Sequence, residues 1–158
     1  MTSKFKAQFL NVYISEIFGN KEMQEPLLLK NISQKTKFGL KKLGTALQVE
    51  YKAIMEKLQE MFNEYSEEVV SPLKEDAAPD AVPETRKVVK EEFREQFLKE
   101  TKELEDLDIE VSHQDFEEKD FIDKSTGDIV ASNNYYNLLD ILVFEKEEVT
   151  KKAELEAV

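Results

Sequence analysis

The sequence predicts a mainly α fold with a small β component, on three observations. Leu40, Leu43, Leu47, Tyr51, Ile54, Leu58, Met61, Tyr65 and Val69 recur at spacings of three and four, as they do along one helix with a continuous apolar face. Charged residues make up 35% of the 158-residue chain while glycine and proline number four each, a balance that favours long surface helices over loop-rich sandwiches or barrels. At Leu107, Ile109 and Val111 the period changes to alternation with Asp108 and Glu110, as in a half-buried strand. The architecture expected is a long antiparallel helical hairpin with a short N-terminal helix and a small C-terminal β element.

Near the N-terminus, Phe5, Phe9, Val12, Tyr13 and Ile17 follow helical spacing, with Thr2 or Ser3 as N-cap and Gly19-Asn20 as the stop. The aromatic-rich face of this short helix either docks on the long helix or orders on a partner. In the connector over 21–31, Pro26 blocks helix continuation and Leu27-Leu28-Leu29 supplies an apolar plug. The long helix is expected over 33–70, roughly 55 Å at about 1.5 Å per residue. Ser33 is its N-cap, a role that explains the sequon Asn31-Ile32-Ser33 better than glycosylation does. Gly39 and Gly44 lie in its first turns, where each costs about 1 kcal/mol relative to alanine, so either close approach of another backbone or a bend is expected there.

Residues 71–83 carry Pro72, Pro79 and Pro83 among alanines and acidic residues without apolar periodicity, and read as a linker or exposed loop. Pro83 then opens a second helix over 84–105, whose stripe is Val89, Phe93, Phe97, Thr101 and Leu104. Two helices joined in this way fold back as an antiparallel hairpin. Beyond the strand at 107–111, Phe121-Ile122 and Ile129-Val130 flank a turn in which Gly127 supplies positive φ, predicting a β-hairpin, with a helical turn as the alternative. Ser132, Asn133 or Asn134 caps an apolar segment over 135–144, read as a helix running into a short strand, and 145–158 reads as a frayed or partner-dependent helical tail. All of this is expected as one domain, in which 1–70 carry the N-terminal and central helices and 84–144 the second helix, β element and apolar segment.

A net charge of −12 disfavours non-specific attraction to phosphate backbones or anionic lipid and makes basic partners more natural. With no cysteine, disulfides, thiolate zinc sites and thiol nucleophiles are excluded. Nothing resembles a signal peptide, and the apolar run at 141–144 is too short to span a membrane, so the chain is expected to be soluble and intracellular, or assembled inside the cell. His113 is the only histidine, which rules out two-histidine zinc motifs, and without a G-x-S-x-G elbow it reads as a turn residue. Asp115, Glu117, Glu118, Asp120, Asp123 and Asp128 cluster, but the glycine of a calcium loop would stand one place after Gly127, so they read as solvated turn carboxylates. Asp80 with Glu100-Thr101-Lys102 imitates a metal-dependent nuclease pattern, yet one part lies in a loop and the other on a helix. Neither a phosphate-binding loop nor a dinucleotide fingerprint is present. No catalytic, metal or cofactor site is assigned.

Lys30, Lys35, Lys37, Lys41, Lys42 and Lys52 form a basic section with Glu50 the only acid among them, read as a solvated face or an intramolecular partner for the acidic second half. Residues 91–123 are dense in carboxylates. Such a charge dipole favours head-to-tail contact with other copies or docking onto a basic partner.

Residues 27–30 (LLLK), 35–65 (KTKFGLKKLGTALQVEYKAIMEKLQEMFNEY), 93–111 (FREQFLKETKELEDLDIEV) and 135–142 (YYNLLDIL) stand in a suggestive order. An apolar segment leads into a long Lys-rich helix ending in acidic aromatic sequence, followed by a second helix closing on a strand and a Leu-rich segment. In this the chain resembles an uncharacterised family of small phage-encoded helical proteins. That family has no established catalytic residues, so the resemblance implies a phage context and supplies no site. The function expected is a non-enzymatic structural or assembly protein, a virion accessory or assembly factor. It would act by helix-mediated contacts with other protein chains, as a homo-oligomer or on a larger phage structural component, with no membrane and no nucleic acid as partner. The residues expected to bind the partner are Phe5, Phe9, Tyr13 and Ile17 of the first helix and Leu43, Leu47, Ile54 and Leu58 of the long one. The alternative is an acidic inhibitor of a nucleic-acid-binding host protein, its carboxylates over 91–123 imitating phosphates.

Overall fold

A computed structural model of the chain describes residues 1–20, 26–70, 78–130 and 136–144. The elements are β1 (Thr2–Lys6), α1 (Leu10–Phe18), α2 (Gln34–Tyr65), β2 (Ser66–Val70), β3 (Thr85–Val89), α3 (Arg94–Glu105), β4 (Asp108–Ser112) and α4 (Asn137–Leu139), the last continued by a π-helical turn, Asp140–Phe144. The fold is mainly α with a minor β component, as the periodicity predicts. By its contacts the chain forms two compact units: Met1–Lys52 with Asp106–Val158, and Ala53–Glu105.

In the first unit, the chain begins with a strand where a helix is expected. Ser3 and Phe5 are buried while Thr2, Lys4 and Lys6 are exposed, a period of two. Across the antiparallel pair, Phe5 stands opposite Ile109 and Lys6 opposite Asp108. The outward lysines reach Glu110 (3.9 Å from Lys4) and Asp108 (3.1 Å from Lys6), so the complementary charges of a distant strand select the pairing. A 3-10 turn, Ala7–Phe9, turns the chain into α1, which has no side-chain cap and stops at Gly19 with φ 88°.

Ser33 caps α2 as expected, its Oγ accepting from the Thr36 amide at 3.2 Å and its carbonyl from the Lys37 amide at 3.0 Å. Leu40, Leu43 and Leu47 are fully buried, as are Phe5, Leu10 and Ile17 of the N-terminal part and Phe116, Phe121, Leu138 and Leu142 of the C-terminal part. The early glycines, where close approach of another backbone or a bend is expected, have side chains as their nearest neighbours. A methyl on Gly44 would meet the Phe18 ring and Ile17, and one on Gly39 would overlap the Gln114 amide. Of the leucine plug, Leu27 is buried and Leu29 exposed.

The strand over 107–111 is present as β4. The expected hairpin around Gly127 reduces to a single bridge, Ile122 to Ile129, with Gly127 at φ 75°. Within that turn Asp123 Oδ1 accepts from the Ser125 and Thr126 amides at 2.7 and 3.2 Å. The apolar segment ends as helix, with no strand over 140–144. Leu138, Leu139, Leu142 and Val143 are all buried, and that spacing serves a helix with one face in the core.

In the second unit, α2 stops at Tyr65, short of the expected residue 70, because 66–70 pair antiparallel with 85–89. The first part of the expected second helix is thus β3, followed by a 3-10 turn, Glu91–Phe93, and α3 starts only at Arg94. Val69-Val70 and Val88-Val89 are β-branched, and Glu68 stands opposite Lys87, which suits a strand pair better than a helix end. The unit is held by rings: Tyr65 lies 5.4 Å from Phe93 and 6.4 Å from Phe97, and Phe62 lies 6.3 Å from Phe97, between centroids. Gln96 donates to the Tyr65 hydroxyl at 3.2 Å, and a hydrogen bond to Glu100 pushes the phenol up to about 12.

The caps expected at Ser132, Asn133 or Asn134, the linker over 71–77 and the tail over 145–158 lie outside the described residues.

Candidate partner-docking face

Most of the residues expected to bind a partner are spent on the core. Phe5, Ile17, Leu43 and Leu47 are fully buried, and Tyr13 nearly so. Phe5 and Tyr13 meet edge to face, 5.6 Å between ring centroids. Ile54 and Leu58, in the second unit, are half-buried. Phe9 alone of the eight is exposed, at 46%. The physical reason is simple: the most apolar stripe of a helix is what its own chain buries first.

What α2 leaves over is its opposite face. Phe38 is 63% exposed and Val49 65%, and Phe38, Lys42, Thr45 and Val49 follow one another at spacings of four, three and four. These residues, with Lys41 and Ala46, line a shallow apolar groove within the first unit. Lys42 Nζ lies over the Phe38 ring, 5.6 Å from its centroid, covering part of the ring with its stem. Lys35, Lys37 and Lys41 of the basic section make no ion pair among the described residues. The 4-3-4 spacing is visible in the sequence, but it is weaker in apolar content than the core stripe and is overshadowed by it.

The polar groups elsewhere have structural engagements. His113 Nδ1 donates to the Gln114 carbonyl at 2.6 Å, and its Nε2 shares a hydrogen bond with the Ser3 hydroxyl at 2.7 Å. The ring stacks on Phe116 and its backbone amide donates to the Met1 carbonyl. The histidine expected in a polar turn is therefore half-buried and pins β1 to the end of β4. Ser3, 8% exposed within a paired strand, has little open approach for a nucleophile. Glu117 and Asp120 cap one short turn reciprocally, and Lys119 lies 2.9 Å from Glu117, which raises the Lys119 pKa. Among the described residues no group of three histidine, aspartate or glutamate side chains is placed to hold a metal ion. No described helix is long and apolar enough to cross a membrane.

Glu16 is the buried group that sequence reasoning misses. Its carboxylate, on α1, accepts from the Asn137 and Leu138 amides at 2.7 and 2.8 Å and from Asn137 Nδ2 at 3.1 Å, closing the start of α4. Burial raises its pKa above the ordinary carboxylate range against the pull of those donors, and nearby Asp140, itself raised by burial, adds to the rise.

No protein-family model matches the chain, no curated protein is similar to it in sequence, and no solved structure matches its fold.

Proposed function

We propose that this chain is a non-enzymatic assembly protein, in the phage context that its resemblance implies, and that it works by presenting the outer face of α2 to another protein chain. The observation that carries this reading is the pair Phe38 and Val49, each about two-thirds exposed on one side of a helix whose other side is filled by its own core. Large apolar side chains lined up along an ordered helix invite a second helix. In the same reading α3 runs back along the C-terminal half of α2 as an antiparallel hairpin, with Phe62 beside Phe97 and Tyr65 beside Phe93.

The test is light scattering after size exclusion, on the chain alone and mixed with the structural proteins of the particle. Wild type is expected to co-elute with one of them in its assembled, multi-copy form. F38S/V49S, with unchanged helicity by circular dichroism, is expected to elute alone. Co-elution that survives the double substitution would remove α2 from the interface, and a chain that associates with nothing would count against the whole reading.

A further inference from the structure

We infer that the occupant of this face is an acidic amphipathic helix of another protein, its apolar stripe laid along Phe38, Thr45 and Val49 and its carboxylates set against Lys35, Lys37, Lys41 and Lys42. The inference rests on the docking role proposed for α2. At about 100° of turn per residue, Lys35 and Lys42 fall on one side of the line from Phe38 to Val49, and Lys37 and Lys41 on the other. An apolar seam with like charges on both flanks is how paired helices choose a partner, and the complement is apolar in the middle and oppositely charged at its edges.

The charge pattern is unusual for this chain. Asp and Glu outnumber Lys and Arg by 34 to 22, yet no acidic residue stands between Gln34 and Val49. The first turns of a helix favour acidic side chains, so lysines there weaken the isolated helix slightly. A partner's carboxylates offset that cost, and Lys35, Lys37 and Lys41 have no ion pair of their own among the described residues.

Other occupants fit less well. Phosphates of a nucleic acid would meet the lysines but leave Phe38 and Val49 against a polar backbone, and the face has no arginine for bidentate contacts. Among the described residues a second copy could offer α3 as its acidic helix, where Leu98 is the one large apolar side chain substantially exposed, and two chains of net charge −12 repel.

Fluorescence polarisation of the full chain against labelled model peptides decides the matter. Three peptides of about twenty residues, long enough to form helix, carry leucine at alternating spacings of three and four, with glutamate, glutamine or lysine at the flanking positions. The glutamate peptide is expected to bind and to weaken as salt is raised. At about threefold per exposed ion pair, K41E/K42E is expected to weaken it about tenfold, and to favour the lysine peptide instead. F38S/V49S should abolish binding. If the glutamine or lysine peptide binds wild type as tightly as the glutamate one, through Phe38 and Val49, the acidic partner is overturned while the docking face stands. If no peptide binds, both fall. Displacement of the glutamate peptide by duplex DNA, or a mass that doubles with concentration and reverts in F38S/V49S, would overturn the inference in favour of phosphate or a second copy.

Discussion

Glu16 offers the most direct test of how the first unit is held together. Its carboxylate is 1% exposed and serves three donors at the start of α4, of which the Leu138 amide is buried and the Asn137 groups belong to an exposed residue. Glu16→Ala orphans the Leu138 amide at about 2 kcal/mol and leaves the Asn137 donors to water at little cost. The lost methylene adds about 0.8 kcal/mol, for a total of about 3 kcal/mol. Glu16→Gln keeps one acceptor oxygen but turns an amide NH₂ toward a donor, for about 2 kcal/mol. Urea unfolding followed by circular dichroism at neutral pH measures both, with the slope against denaturant unchanged. The pH dependence supplies an independent check. Burial raises the folded-state pKa of Glu16 above its ordinary 4.5, so the folded chain holds that proton more tightly than the unfolded one. The stabilisation from this proton is complete below the ordinary value and is lost as pH rises through the folded-state value. The gap between wild type and Glu16→Gln should therefore widen as pH falls from neutrality toward 4.5. A Glu16→Gln chain as stable as wild type at neutral pH would refute the clasp, and a gap that narrows on acidification would show that the donors outweigh burial.

The two glycines of α2 separate two kinds of close approach. Alanine at Gly44 would put a methyl 2.5 and 2.8 Å from Phe18 ring atoms and 3.2 Å from Ile17. The gain in helix propensity, about 1 kcal/mol, is outweighed by overpacking of about 1–3 kcal/mol, and the melting temperature should fall. At Gly39 the obstacle is the flexible end of Gln114, which can swing aside, so alanine there should be neutral or stabilising by up to about 1 kcal/mol. Equal effects at the two positions in thermal unfolding would contradict this account. In the second unit, Phe97→Ala removes the ring that contacts both Phe62 and Tyr65, at about 2 kcal/mol for a half-buried phenylalanine. Hydrogen exchange should quicken at the amides of 53–65 and 94–105 while those of β1 and β4 keep their protection.

How much of this is legible in the sequence depends on distance along the chain. The core stripe of α2, the cap at Ser33 and the alternation of β4 are local patterns, and each appears where periodicity or turn chemistry predicts it. Residues 2–6 and 85–89 become strands through pairings that no local window contains. For β1 the partner is 102 residues or more away, and Phe5 fits the helical spacing to Phe9 as well as the strand spacing to Ser3. Lys4 and Lys6 settle the choice only once Glu110 and Asp108 are known to lie opposite. Glu16 is illegible for the same reason, since its donors come from 121 and 122 residues further on. Most of the expected partner-binding residues are buried by the chain itself, for a different reason. Apolar periodicity marks the face that a helix buries, and cannot say whether the chain itself or a partner covers it. Once the core has claimed Leu43 and Leu47, the docking surface has to be sought in what remains.

The size of that remainder sets how such a face can work. Burying Phe38 and Val49 completely would contribute roughly 3–5 kcal/mol, and each is already partly covered. Bringing two molecules together costs about 4–15 kcal/mol in lost freedom, so the apolar seam alone cannot hold a partner. Four exposed lysine–glutamate pairs add about 1–4 kcal/mol at most, and less at physiological salt. On the proposed reading a single contact therefore belongs at about the millimolar level or weaker and exchanges readily. An interface of that strength becomes effective when many copies of the partner are held side by side, because effective concentration then multiplies a weak contact by about 10²–10⁴ without any new one. A regular protein array, such as the lattice of a growing particle, provides that arrangement, and a weak, salt-sensitive helix face suits a factor that must join such an array and also leave it.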